Sequence, residues 1–265
     1  MVKVLQYATV TGADERTDID WMLEMSLKYS FLEWGLLVGS RLGPRYPDWY
    51  WIRKVLNRFT DQQVVANFSL HLCSAPLRLL FGGEVTTVGS VFVGSLGDAL
   101  LEFDRIQLNC SVYPYSEDEK LRTARRLQDH FLQHGAPVPE VILQQGSRPL
   151  DFQRLVGVAK LSVLFDTSGG RGLSGYTPAG RPGVKCGWAG GLSANRLVER
   201  LFCIREDVVV EPTDEQPIVE WWVDAEGKLR TGDDEDRLVP EAVEQYLERA
   251  AEFRATCSYL DSQGA

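Results

Sequence analysis

Cysteine is scarce in this chain and unpatterned. The five thiols, Cys73, Cys110, Cys186, Cys203 and Cys257, are odd in number and include no Cys-x-x-Cys pair. That excludes a zinc ribbon and a disulfide framework and fits free thiols in a reducing compartment. Positive charge is in deficit as well, with 28 Lys and Arg against 37 Asp and Glu and a formal net charge of −9. Proteins that hold nucleic acid by neutralising phosphates need the opposite balance, so no nucleic-acid partner is expected; a local basic pocket for a small anion stays compatible with the total. No apolar run reaches the length of a bilayer span, and the first seven residues form no signal-peptide h-region. The expected location is the cytoplasm, without a membrane partner. Repeats and low-complexity tracts are missing too.

What is present is an ordinary globular composition, 44% hydrophobic and 10% aromatic over 265 residues, enough to bury a substantial core. Short apolar runs alternate with longer amphipathic segments. Strands are expected at Val2–Tyr7, Trp34–Val38, Val64–Leu70, Arg105–Asn109, Glu140–Gln144, Ser162–Asp166, Lys185–Ala189 and Ile218–Val223. Helical spacing joins Ile19, Leu23 and Leu27, then Leu121, Ala124, Leu127 and Phe131, then Val243, Leu247 and Ala250. Asp48 and Ser193 are placed to cap two further helices. Eight strand–helix units in roughly 250 residues are the pattern of a (β/α)8 TIM barrel, here read as one domain over residues 1–265. A monomer or homodimer is expected.

Two stretches exceed a minimal barrel. Residues 82–97, rich in Gly, Ser, Thr and Val, read as an insertion between strands three and four. Residues 169–183 are the most glycine-rich in the chain. Charge is uneven: Arg205 to Thr256 holds sixteen acids and six bases, so the acidity belongs to the C-terminal segment.

Two motifs carry chemistry. In Val163-Leu164-Phe165-Asp166-Thr167-Ser168-Gly169-Gly170 a buried strand ends in a carboxylate and then a glycine loop. That puts an acid at the C-terminal mouth of a barrel, where such residues are catalytic, beside backbone N–H groups open to an anion. Asp166 is the first catalytic candidate. In Gly187-Trp188-Ala189-Gly190-Gly191-Leu192-Ser193 a strand runs through a glycine pair into a helix start, the arrangement that holds phosphate after strands seven and eight. His130 and His134 have metal-compatible spacing but no third ligand in the sequence, and neither a metal nor another cofactor is expected.

Phe165-Asp166-Thr167 with its glycine loop, followed by Trp188-Ala189-Gly190-Gly191-Leu192, resembles the phosphoribosylanthranilate isomerase family. Val2-Lys3-Val4, Gly35-Leu36-Leu37-Val38, Gly43-Pro44-Arg45-Tyr46 and Arg105-Ile106-Gln107-Leu108 fall in the family's order. The resemblance implies an Amadori rearrangement of a phosphoribosyl amine. It makes Asp166 the general acid and Arg45 the anchor of a substrate carboxylate. Gln107, Gly169, Gly170, Gly190, Gly191 and Gly227 become substrate-binding positions. The family's general base, a cysteine at the end of the first strand, is missing, since that stretch reads Lys3-Val4-Leu5-Gln6-Tyr7. Cys110 at the mouth of strand four is the replacement base considered first, with Tyr7, Asp224 and Glu226 as further options. The segment Asp224-Ala225-Glu226-Gly227-Lys228 replaces a serine- and glycine-rich loop and sets acids beside the phosphate unless Lys228 compensates. The expected partner is a phosphorylated small molecule, either turned over by an aldose–ketose isomerase or bound by a barrel that has lost catalysis.

Overall fold

Eight parallel strands close into a barrel in sequence order, β8 pairing with β1. The structure is a computed structural model that describes residues 2–40, 43–83, 100–146, 154–155, 158–166, 180, 183–214, 216 and 218–263. The strands are β1 (Val2–Thr11), β2 (Leu32–Val38), β3 (Asn67–Leu72), β4 (Arg105–Leu108), β5 (Glu140–Gln145), β6 (Leu161–Phe165), β7 (Lys185–Ala189) and β8 (Ile218–Ala225). The helices are α1 (Ile19–Lys28), α2 (Trp49–Asp61), α3 (Ser74–Gly82), α4 (Glu117–Gln133), α5 (Leu197–Cys203) and α6 (Pro240–Gln263). All eight expected strands are therefore present, and the fold is the TIM barrel.

Capping chemistry explains several helix starts. The Asp48 carboxylate accepts from the Trp51 amide at 2.7 Å, and Ser116 with Glu119 forms a reciprocal capping box at the head of α4. Ser193 makes no such bond; it leads into a single 3-10 turn over 194–196 ahead of the seven-residue α5. The face expected for α1 is rotated. Leu27 is 71% exposed, whereas Met22, Leu23, Met25 and Ser26 are buried. The cause is Trp34 of β2, whose indole N–H donates to the Ser26 hydroxyl at 2.9 Å and turns that side inward. Most of the expected insertion over 82–97 lies outside the described residues: α3 ends at Gly82, and Gly83 caps it with φ +90°.

A large apolar cluster fills the space between strands and helices, and a separate small one, Ile142, Leu164 and Trp222 with Tyr7 and Ala189, plugs the barrel interior. Gly187 makes room for that plug, since a Cβ there would lie 2.1 Å from the Trp222 ring. Towards the N-terminal end, the Arg105 guanidinium is sandwiched at 4.7 Å from both the Tyr7 and Trp222 rings. Arg105 pairs with Glu33 and, at 3.2 Å, with Glu140; Lys185 also reaches Glu140, at 2.8 Å. Burial would raise the Glu140 carboxyl, but Arg105 and Lys185 outweigh it and hold the group down at about 2. The interior is thus sealed by a ring plug over a satisfied ionic layer, and the open end is the C-terminal mouth.

Candidate active site

Strand alternation sends one polar stripe into the mouth. In β3 and just beyond, Ser69, His71 and Cys73 share a phase; in β4 and just beyond, Gln107 and Asn109 do; at the ends of β1 and β8, Thr11 and Asp224 do. These residues line a cavity of about 240 Å3 together with Gln144, Asp166, Arg45, Tyr46, Glu226 and the turns at Gly190-Gly191 and Gly227-Lys228, apart from Ser69, which lies deeper. Such a volume suits a small polar ligand rather than a drug-sized one.

Across the floor, the Gln107 amide donates to Asn109 at 2.8 Å and meets His71 Nδ1 at 3.3 Å. Asn109 in turn donates to Cys73 Sγ at 3.0 Å. Burial, with Arg105 behind it, pushes the His71 imidazole down to about 3, so it stays neutral. An amide donor at Nδ1 assigns the proton to Nε2. Gly35 opposite cannot carry a side chain, because a Cβ would meet Thr11 Oγ1 at 2.2 Å and His71 Cε1 at 2.9 Å. Burial pushes both the Cys73 thiol and the Tyr46 phenol, which hydrogen-bond each other, up to about 12. Both groups are protonated donors rather than bases.

Two aspartates stand out. Asp224 is 8% exposed, and Thr11 Oγ1 donates to it at 2.7 Å. Burial raises its carboxyl to about 8 against that hydrogen bond, helped by the negative charges of Glu226, Glu33 and Asp166. It is therefore a carboxylic acid at neutral pH, the condition for a proton donor. Asp166 is 3% exposed, and Gln144 Nε2 donates to its Oδ2 at 2.8 Å, a contact that orients an accepting carboxylate.

The rim beyond these acids is an ionic lattice. Arg45, in the left-handed region at φ +65°, has its backbone N–H on Asp14 Oδ2 at 2.9 Å. Its side chain grips both oxygens of Asp236, at 2.8 and 2.9 Å, and also pairs with Glu226. Arg230 binds Asp236 at 2.9 Å and Asp14 at 3.3 Å. Burial raises the Glu226 carboxyl while Arg45 opposes it. Lys228, exposed on the same rim, has no carboxylate within ion-pair distance among the described residues.

Of the expected site residues, Asp166, Arg45, Gln107, Gly190, Gly191 and Gly227 line one cavity, and Gly169 and Gly170 lie outside the described residues. Gly190 and Gly191 have φ of +99° and +67°, a consecutive left-handed turn that suits glycine and exposes backbone N–H groups. Four expectations meet a different arrangement in the structure. Cys110 is fully buried and does not line the cavity. One residue past Asn109, alternation turns its thiol onto the Gln144 carbonyl at 3.5 Å, and burial raises it to about 11. Tyr7 sits in the barrel beside Arg105 and lines the opposite end. The mouth of β1 is not at Lys3–Tyr7, because the strand continues to Thr11; Leu5 packs outward into the helix-facing core. Arg45, expected to take a ligand carboxylate, is already held by Glu226 and Asp236.

Sequence reasoning passed over His71, Cys73, Thr11 and Gln144. The available signal was polar residues recurring every second position in otherwise buried strands, Ser69-x-His71-x-Cys73 and Gln107-x-Asn109. Among the described residues, no group of three or more His, Cys, Asp or Glu is placed to hold a metal, and no helix is long and apolar enough to cross a membrane.

No family model matches the chain, and no curated protein does. Among solved structures, a designed cube-shaped porous protein cage, made by fusing symmetric oligomeric domains, is similar at 11% identity and TM-score 0.52, covering 98% of this chain and 77% of that one. A GH113 β-1,4-mannanase aligns at 8% identity and TM-score 0.40 over 97% of this chain and 85% of its own. A complex structure of a GH113 β-1,4-mannanase aligns at 9% and 0.38, covering 96% and 85%. At 11% identity the likeness to the cage concerns the fold alone.

Proposed function

We propose that this barrel is an acid–base enzyme that isomerises a phosphorylated sugar or phosphoribosyl amine between aldose and ketose forms. The observation that carries the reading is the pairing, in one enclosed mouth, of a carboxyl held protonated at neutral pH with a second, amide-oriented aspartate. An aldose–ketose shift needs that pair of an acid and a base.

The roles differ from those the family resemblance implies. Asp224 gives its proton to the ring oxygen as the C1–O bond breaks and the nitrogen lone pair closes C1=N. Asp166 takes the proton from C2; those electrons form C1=C2, and the C=N pair returns to nitrogen. Asp166 then returns its proton to C1 while the C2 hydroxyl gives its proton to Asp224, leaving C2 as the ketone and both acids restored. C1 is reduced as C2 is oxidised, so no external redox partner enters. The neutral amides Gln107, Asn109 and Gln144 suit hydroxyl groups, which both donate and accept. Lys228 and the N–H groups at Gly190, Gly191 and Gly227 suit the phosphate.

The test is turnover of freshly prepared phosphoribosyl amines, followed as formation of the 1-amino-1-deoxyketose. Wild type should convert at least one of them, with kcat falling as pH rises through about 8, where Asp224 ionises. Asp166→Asn and Asp224→Asn should each lower kcat by about 10²–10⁴. Absence of turnover across aryl and alkyl amines, with no binding of ribose 5-phosphate, would contradict the reading.

A further inference from the structure

The rim lattice narrows the substrate class, on the proposal that the mouth takes a phosphorylated sugar. We infer that the group attached at the sugar's reacting carbon is an uncharged or cationic amine, not an arylamine carrying a carboxylate.

A carboxylate is recognised best by a guanidinium fork, two parallel N–H bonds from one edge of the arginine. In Arg45 that edge, Nε with Nη2, is filled by both oxygens of Asp236 at 2.8 and 2.9 Å. A third N–H goes to Glu226. Asp236 cannot easily yield, since Arg230 also holds it at 2.9 Å. The Arg45 main chain is pinned by its N–H bond to Asp14 at 2.9 Å, and its guanidinium is held by Asp236 and Glu226 together. The wall a ligand meets at Arg45 therefore already contains its anion.

The other charges point the same way. Asp166 and Glu226 line the cavity, and of its two cations, Arg45 and the rim Lys228, Arg45 is already occupied. An incoming carboxylate beside Glu226 and Asp166 meets like charge. A neutral amine meets none, and a cationic one finds in Glu226 an oxygen that already accepts from a guanidinium. Lys228, with the glycine turns beside it, remains for the phosphate, so the two ends of the substrate are sorted by charge.

The experiment uses the full chain and calorimetric titration at pH 7 with a matched pair of stable ligands, the 5-phosphates of 1-anilino-1-deoxyribitol and of its 2-carboxyphenylamino counterpart. Ribose 5-phosphate serves as the reference. The anilino compound should bind at least tenfold more tightly than the carboxylated one. Freeing the fork with Asp236→Asn and Glu226→Gln should shrink or reverse that ratio, and the wild-type comparison stands even where the double variant does not fold. Equal binding, or preference for the carboxylated ligand in wild type, overturns the inference while leaving the phosphosugar reading intact. If neither ligand nor ribose 5-phosphate binds, the reading falls and the inference with it.

Discussion

Asp224 shows how one residue couples function to stability. An aspartate free of the fold ionises near 3.8, and burial with three acidic neighbours moves this one to about 8 against the Thr11 hydrogen bond. A carboxyl raised on folding contributes fully below its unfolded value, and its contribution is lost as pH rises through the folded one. Near pH 8 the fold therefore carries a cost that serves proton donation. Asp224→Asn keeps an oxygen for the Thr11 hydroxyl and cannot ionise. It should stabilise the protein at pH 8 by about 1–3 kcal/mol while removing activity, and the gain should vanish below pH 4. Thermal melts of both proteins across pH 4–9 check this; a variant less stable than wild type at pH 8 would show that Asp224 is an ordinary buried anion.

Strands and helices were legible where the sequence pattern has one cause and misread where it has two. β7 matches its expected bounds, Lys185–Ala189, and β6 begins one residue before its expected start, because each is a short, mostly apolar run that stops at a glycine-rich stretch. β1, expected at Val2–Tyr7, runs on through Ala8-Thr9-Val10-Thr11, where threonines alternate with apolar residues. Its threonines in fact point into a polar barrel, Thr9 onto Glu33 and Thr11 onto Asp224. The mouth therefore lies four residues beyond Lys3–Tyr7, the stretch in which the resemblance would place the base. Asp166 and the turn at Gly190-Gly191 were legible because they end strands; His71 and Cys73 were hidden because a strand that is polar on its inner face breaks the rule that parallel strands read as apolar. Gly187 is the element-scale constraint that permits this interior. Gly187→Ala should cost about 1–3 kcal/mol, since its Cβ would enter the Trp222 ring. Chemical denaturation that shows no loss would mean that Trp222 repacks freely.

For the molecule as a whole, the two ends of the barrel divide the work. The N-terminal end is a closed ionic layer in which Arg105, Lys185, Glu33 and Glu140 compensate one another; the C-terminal end keeps acids in excess at a cavity. Folding lowers the Glu140 carboxyl from 4.5 to about 2, so its contribution is present above pH 4.5 and is lost as pH falls through 2. Glu140→Gln strands part of the charge on Arg105 and Lys185 and should destabilise by about 3–5 kcal/mol at neutral pH. The difference from wild type should narrow as pH drops from 4.5 towards 2, and acid-denaturation curves of the pair check it. The central claim is that an un-ionised Asp224 faces Asp166 at neutral pH. Its most direct test is carbon-13 NMR of the aspartate carboxyls across pH 3–10, with Asp224→Asn to assign the signal. A carboxyl that ionises near pH 8, absent from the variant, is the predicted result. An Asp224 signal that titrates near pH 4 would contradict the account.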